Sequence, residues 1–140
     1  MPLSLTGAPL NSQLLLPIFS IEGNLAMRDI SRRELQSLLA EQPVRLVEIS
    51  PPEEFRKFHL PCAINVPADH QFDGRIEKTL SDKSQTIVVY SVDADCQAPP
   101  RAVRRLMRLG YAHVYHYEAG KVDWQAAGLP IASNSETARG

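Results

Sequence analysis

Five consecutive residues, TIVVY from Thr86 to Tyr90, are all β-branched or aromatic. A strand with one face in water alternates apolar and polar side chains, whereas this one is apolar on both faces. It is therefore expected in the middle of a parallel sheet, with helices covering both sides. The flanking sequence supplies those helices. In SRRELQSLLAE, Ser31 and Glu34 stand at capping-box spacing, and Leu35, Leu38 and Leu39 share one helical face. VRLVEI (Val44 to Ile49) reads as a strand, ended by Ser50-Pro51-Pro52, which sets a proline at the start of a helix over EEFRKF. AINVP (Ala63 to Pro67) is a short strand and GRIEKTL (Gly74 to Leu80) a short helix. After TIVVY, a helix from Pro100 to Leu109 turns Val103, Leu106, Met107 and Gly110 inward and stops at Gly110. HVYHYE is another strand, and VDWQAAG a last helix closed by Gly128. The alternation predicts an α/β domain with a mainly parallel sheet flanked by helices on both faces.

With 140 residues, 44% of them hydrophobic, the chain is long enough for one domain with a real core. Residues 1–28 mix Pro, Gly, Ser and Asn with apolar residues of no sustained period and are expected to be an extension. The domain is expected over 29–131, and 132–140 has the composition of a frayed tail. LLLPIF (Leu14 to Phe19) is too short for a membrane span and lacks signal-peptide flanks, so neither membrane nor leader is predicted. A net charge of -1 offers no general attraction to nucleic acid or anionic lipid, so any preference for anions must be local. Cys62 and Cys96 are expected to be free thiols in a reducing cytoplasm. The four histidines have no metal-ligand spacing with them, and no metal or cofactor is expected.

In open α/β sheets, ligands bind beyond the carboxyl ends of the strands, where Ser91 to Pro99 must lie. The helix behind this loop turns its positive end and Arg101 toward it, so an anion could rest against Ala94, Asp95, Gln97, Ala98 and Arg101. Cys96 is the candidate nucleophile. Asp93 and Asp95 offset the helix end by about as much as it offers, roughly 0.3–1 kcal/mol, so Cys96 is expected to behave as an ordinary thiol unless the loop turns those carboxylates away. Pro99 and Pro100 also remove two N–H donors from the cradle. Ser91 is the weaker candidate, because no histidine is placed near it to act as base.

The runs LVEISPPEEFRKFHLPCAINVP, TIVVYS and RLMRLGYAHVYHYEAGKVDWQAAGLP resemble, in that order, the rhodanese-like domain family over Ile30 to Ile131. The resemblance implies a five-stranded parallel sheet with helices on both faces. It also implies transfer of sulfane sulfur through a persulfide on a loop cysteine, with a small sulfur-containing anion or a thiol as donor and acceptor. The usual cysteine directly follows the central strand, where this chain has Ser91. A subset of the family carries a second cysteine five residues on, and Cys96 matches it, with Ala98 and Pro99 in place of a small-residue and hydroxyl pair. From Cys96, the spacing Cys-x4-Arg to Arg101 imitates the family's active loop, shifted into the helix start. The family's aspartate and arginine in its L-V-D-V-R strand correspond to Glu48 and Ser50, which removes a customary cation from the acidic residues of the site.

Two functional classes remain open. One is a sulfurtransferase acting through Cys96. The other is a non-catalytic module that uses the same loop and the basic helix of Arg101, Arg104, Arg105 and Arg108 to bind an anionic ligand or a protein partner. A phosphatase is disfavoured, since such loops put the cysteine at the strand end and lack two internal aspartates. Cys62 and Trp124 are expected in the core and His59 at a turn.

Overall fold

The computed structural model describes residues 28–133. Five strands and five helices follow one another in the order β1 (Arg28–Ile30), α1 (Arg32–Glu41), β2 (Arg45–Glu48), α2 (Pro52–Lys57), β3 (Ile64–Asn65), α3 (Phe72–Thr79), β4 (Thr86–Tyr90), α4 (Ala98–Arg108), β5 (His113–Tyr117) and α5 (Gly120–Ala126). The sheet order is β1-β5-β4-β2-β3, and every pairing is parallel. TIVVY is the central strand, as its two apolar faces predicted: Ile87, Val88, Val89 and Tyr90 are fully buried. Alternate residues of the sheet feed two cores. Val47, Ile87, Val89 and Val114 meet α3 and α4 through Phe72, Ile76, Ala102, Val103 and Leu106. Leu46, Val88 and Tyr90 meet α1 and α5 through Leu35 and Trp124.

The ends of the elements follow local chemistry. Ser31 and Glu34 form the predicted capping box, and Leu35 is the buried anchor of α1. Helix α4 begins at Ala98, two residues before the predicted start, because proline needs no N–H partner in a first turn and its fixed φ suits a helix. At its other end Gly110, with φ of +101°, completes a left-handed cap in which Tyr111 N–H donates to Leu106 O and Gly110 N–H to Met107 O. Gly110 is exposed rather than turned inward, as a residue past the last helical turn must be.

Two further expectations are corrected. Strand β1 has only three residues, too few to show a period, yet Arg28, Asp29 and Ile30 pair with Tyr115, His116 and Tyr117. It therefore takes in the last residue assigned to the extension, the rest of which lies outside the described residues. Cys62 is exposed rather than buried, in a turn where its φ is +67°. At the other boundary Ala132 is tied to the domain by two backbone hydrogen bonds with His59. His59 itself is buried, stacked on Phe55 with ring centroids 3.7 Å apart. Trp124 lies in the core and donates from Nε1 to Pro130 O.

Candidate functional site

The loop between β4 and α4 leaves the carboxyl end of the central strand, where the topology predicts a site. Its first residue, Ser91, is buried, and the chain then folds back so that Ser91 Oγ donates to Cys96 Sγ at 3.1 Å. The sulfur therefore lies against the strand end instead of pointing away from it, and Cys96 remains partly exposed. Asp93 and Asp95 are exposed and do not close the floor beneath the sulfur. The Asp93 carboxylate accepts from Asp95 N–H at 3.0 Å, and the Asp93 carbonyl from Cys96 N–H at 3.4 Å. Two of the N–H groups that could have faced an anion are thus already engaged. Ala94 and Gln97 are exposed on the loop, Ala98 is the first residue of α4, and Arg101 is exposed on its first turn.

The loop is held from outside by α5. Lys121 N–H donates to Ser91 O and Val122 N–H to Val92 O, both at 3.0 Å. Such close approach needs Gly120. A Cβ there would meet Asp93 Cα and Val92 O at 2.6 Å, and its φ of +81° lies in the region that glycine favours.

Beneath the strand ends lies a buried polar group around Glu48 and Ser50, whose cation, Lys121, sequence reasoning missed. Glu48 and Lys121 are 0% and 1% exposed, and Glu48 Oε2 accepts from Lys121 Nζ at 2.8 Å. Lys121 Nζ also donates to the carbonyls of Glu54 and Phe58 at the end of α2, at 2.7 and 2.6 Å. Ser50 Oγ donates to the same Glu48 oxygen. The position that lacks the family's arginine is thus a serine, and the cation comes from Lys121 on another element. The signal was available: an acid kept at 48 without its neighbour at 50 calls for a cation elsewhere, yet a lysine at a helix start reads as solvated. Glu48 Oε1 has no hydrogen-bond partner among the described residues. Tyr90 accepts from Leu60 N–H at 3.1 Å, and burial, with the Glu48 carboxylate nearby, holds its phenol far above the usual value. Asn65, also missed, donates from Nδ2 to the carbonyls of Glu48 and Ser50 at 3.0 and 2.9 Å and fixes the end of β2.

A cleft of about 480 Å³ opens at the same end of the sheet, lined by Ser31, Arg32, Glu118, Ala119 and Asp123 among others. None of the predicted site residues lines it, and Arg32 and Asp123 are paired across it at 3.0 Å. Among the described residues no cluster of three or more His, Cys, Asp or Glu side chains is placed to hold a metal ion. No described helix is long and apolar enough to cross a membrane.

Comparison with known proteins gives this geometry a context. The family model described as the rhodanese-like domain matches residues 31–127. An HTH-type transcriptional regulator of Mycobacterium tuberculosis is 33% identical over 79% of this chain, and the chain spans 47% of that regulator. Among solved structures, the rhodanese-like domain of an Anabaena protein superposes with a TM-score of 0.66 at 23% identity, covering 75% of this chain and 78% of that one. A rhodanese with anions from E. coli superposes with a TM-score of 0.54 at 25% identity, covering 65% and 99%.

Proposed function

The chain belongs to the rhodanese-like domain family, and from that premise we propose that it carries sulfane sulfur as a persulfide on Cys96. The observation that supports this most is the 3.1 Å contact between Ser91 Oγ and Cys96 Sγ. Residue 91 holds the position of the family's usual cysteine, and the fold of the loop returns a sulfur to within one contact of it. The thiol of Cys96 loses its proton to solvent, and the sulfur attacks the outer sulfur of a donor such as thiosulfate. A Cys96 S–S bond forms as the donor's S–S bond breaks, and sulfite leaves with its electron pair. A thiol or cyanide then attacks the terminal sulfur, and the Cys96 thiolate is released. Arg101 and the loop N–H groups that Asp93 does not occupy, at Ala94, Gln97 and Ala98, are proposed to face the anionic donor.

The engagement of Asp95 and Cys96 N–H by Asp93 favours a second reading, a module that binds without transferring. Thiocyanate production from thiosulfate and cyanide separates the two. Transfer that persists in Cys62→Ser and is abolished in Cys96→Ser is expected. Transfer absent from the wild-type protein but gained in Ser91→Cys would instead show a scaffold without its nucleophile.

A further inference from the structure

Helix α4 buries Pro99, Ala102, Val103 and Leu106 and turns Arg101, Arg104 and Arg108 to solvent. Arg105, between them, is paired with Asp73 at 2.8 Å and packs over Phe72. The other three form no ion pair among the described residues. At i, i+3 and i+7 they make a stripe about 10 Å long that starts at the end of the Cys96 loop. The arrangement works against the stability of the free domain. Like charges at i, i+3 and i, i+4 each destabilise a helix by about 0.2–0.5 kcal/mol, and two such pairs, Arg101 with Arg104 and Arg104 with Arg108, occur among these three arginines. Arg101 also sits in the first turn, where the helix dipole disfavours a cation.

We propose that this face docks an acidic segment of a partner protein, whose end is thereby presented to the Cys96 loop. A nucleic-acid duplex fits less well. Its backbone offers one charge per about 1.7 Å and needs an unbroken basic surface. Here Asp69 and Asp73 flank the stripe on one side, and Asp93 and Asp95 stand at its loop end. Carboxylates spaced like the arginines complement the stripe without meeting those aspartates. That the partner is a sulfur donor or acceptor rests on the reading of Cys96 given above, whereas the docking itself does not.

The test uses the Cys62→Ser protein and two short peptides, each ending in a cysteine activated as its thionitrobenzoate disulfide. One has three glutamates at i, i+3 and i+7, and the other has glutamines there. Cys96 attacks the peptide sulfur, a Cys96–peptide disulfide forms, and the coloured thionitrobenzoate anion leaves. The acidic peptide is expected to react about tenfold faster than the neutral one at low salt, with the advantage lost by about 0.5 M salt. Arg104→Gln/Arg108→Gln is expected to cut the advantage by about threefold or more, with the neutral peptide's rate and the melting temperature not lowered. Equal rates for the two wild-type reactions, an advantage untouched by the double substitution, or a DNA duplex that competes better than free acidic peptide would each overturn the proposal. Absence of any advantage at low salt, with sulfur transfer intact, removes the docking alone, and an advantage without sulfur transfer removes only the sulfur-carrier reading.

Discussion

Single residues carry the tightest constraints on the loop and its surroundings. Gly120 allows α5 to touch Asp93 and Val92, and a methyl group at 120 would have to displace backbone. Gly120→Ala is expected to destabilise the domain by about 1–3 kcal/mol. It should also raise hydrogen exchange at Lys121 and Val122, whose N–H groups hold the loop; unchanged exchange would show that the loop does not depend on that approach. Cys62 is the opposite case, an ordinary side chain at φ +67°. Left-handed backbone costs a non-glycine residue about 1–2 kcal/mol, partly offset by the unfolded-chain entropy that glycine adds. Cys62→Gly should therefore raise the melting temperature by a few degrees, and a fall would mean that the thiol contributes more than its exposure indicates. The candidate nucleophile was legible in the sequence because a cysteine beyond a central strand has few other places to go. Its contact with Ser91 was not legible, because the spacing of five residues does not say which way the loop folds.

Elements are joined by a charge pair that the sequence concealed. Lys121 links α5 to β2 and to the last carbonyls of α2, so its loss leaves Glu48 buried without a cation. Lys121→Met is expected to cost about 3–5 kcal/mol by urea denaturation, and Glu48→Gln/Lys121→Met clearly less. A single-variant loss below about 1 kcal/mol would show that Glu48 does not need the lysine. Two buried tyrosines, Tyr90 at the end of β4 and Tyr117 at the end of β5, set an alkaline limit. Burial, then neighbouring carboxylates, raise the phenols of Tyr90 and Tyr117 well above their ordinary value. The unfolded chain releases these protons near pH 10. Their contribution is therefore complete below about pH 10 and lost as pH rises beyond it toward the folded values. The urea midpoint should fall between about pH 9.5 and 11, less steeply in Tyr90→Phe, and a flat profile would contradict the assignment. Helix boundaries were legible where caps are local, as at Ser31 and Gly110. They were not legible at Ala98, where prolines that stop a helix elsewhere instead begin one.

At the scale of the whole molecule, strand and helix alternation and the doubly apolar TIVVY make a central parallel strand legible, and with it the loop at its carboxyl end, where ligands bind in open α/β sheets. Four of the five strands were visible as patterns, and β1 emerges only through its pairing with β5. Lys121 and Asn65 escaped notice because their roles depend on contacts between elements distant in the chain. The whole-chain charge of -1 conceals a basic helix that its four arginines made legible, but not that Arg105 is paired with Asp73 while Arg101, Arg104 and Arg108 face solvent. The central proposal is that the cysteine of the loop that ends the central strand holds transferable sulfur. Intact-mass analysis with peptide mapping after incubation with thiosulfate or a persulfide donor tests that claim most directly. The Cys96 peptide is expected to gain one sulfur atom, kept in Cys62→Ser and lost in Cys96→Ser; no gain with any donor, or a gain that survives Cys96→Ser, would rule the persulfide out.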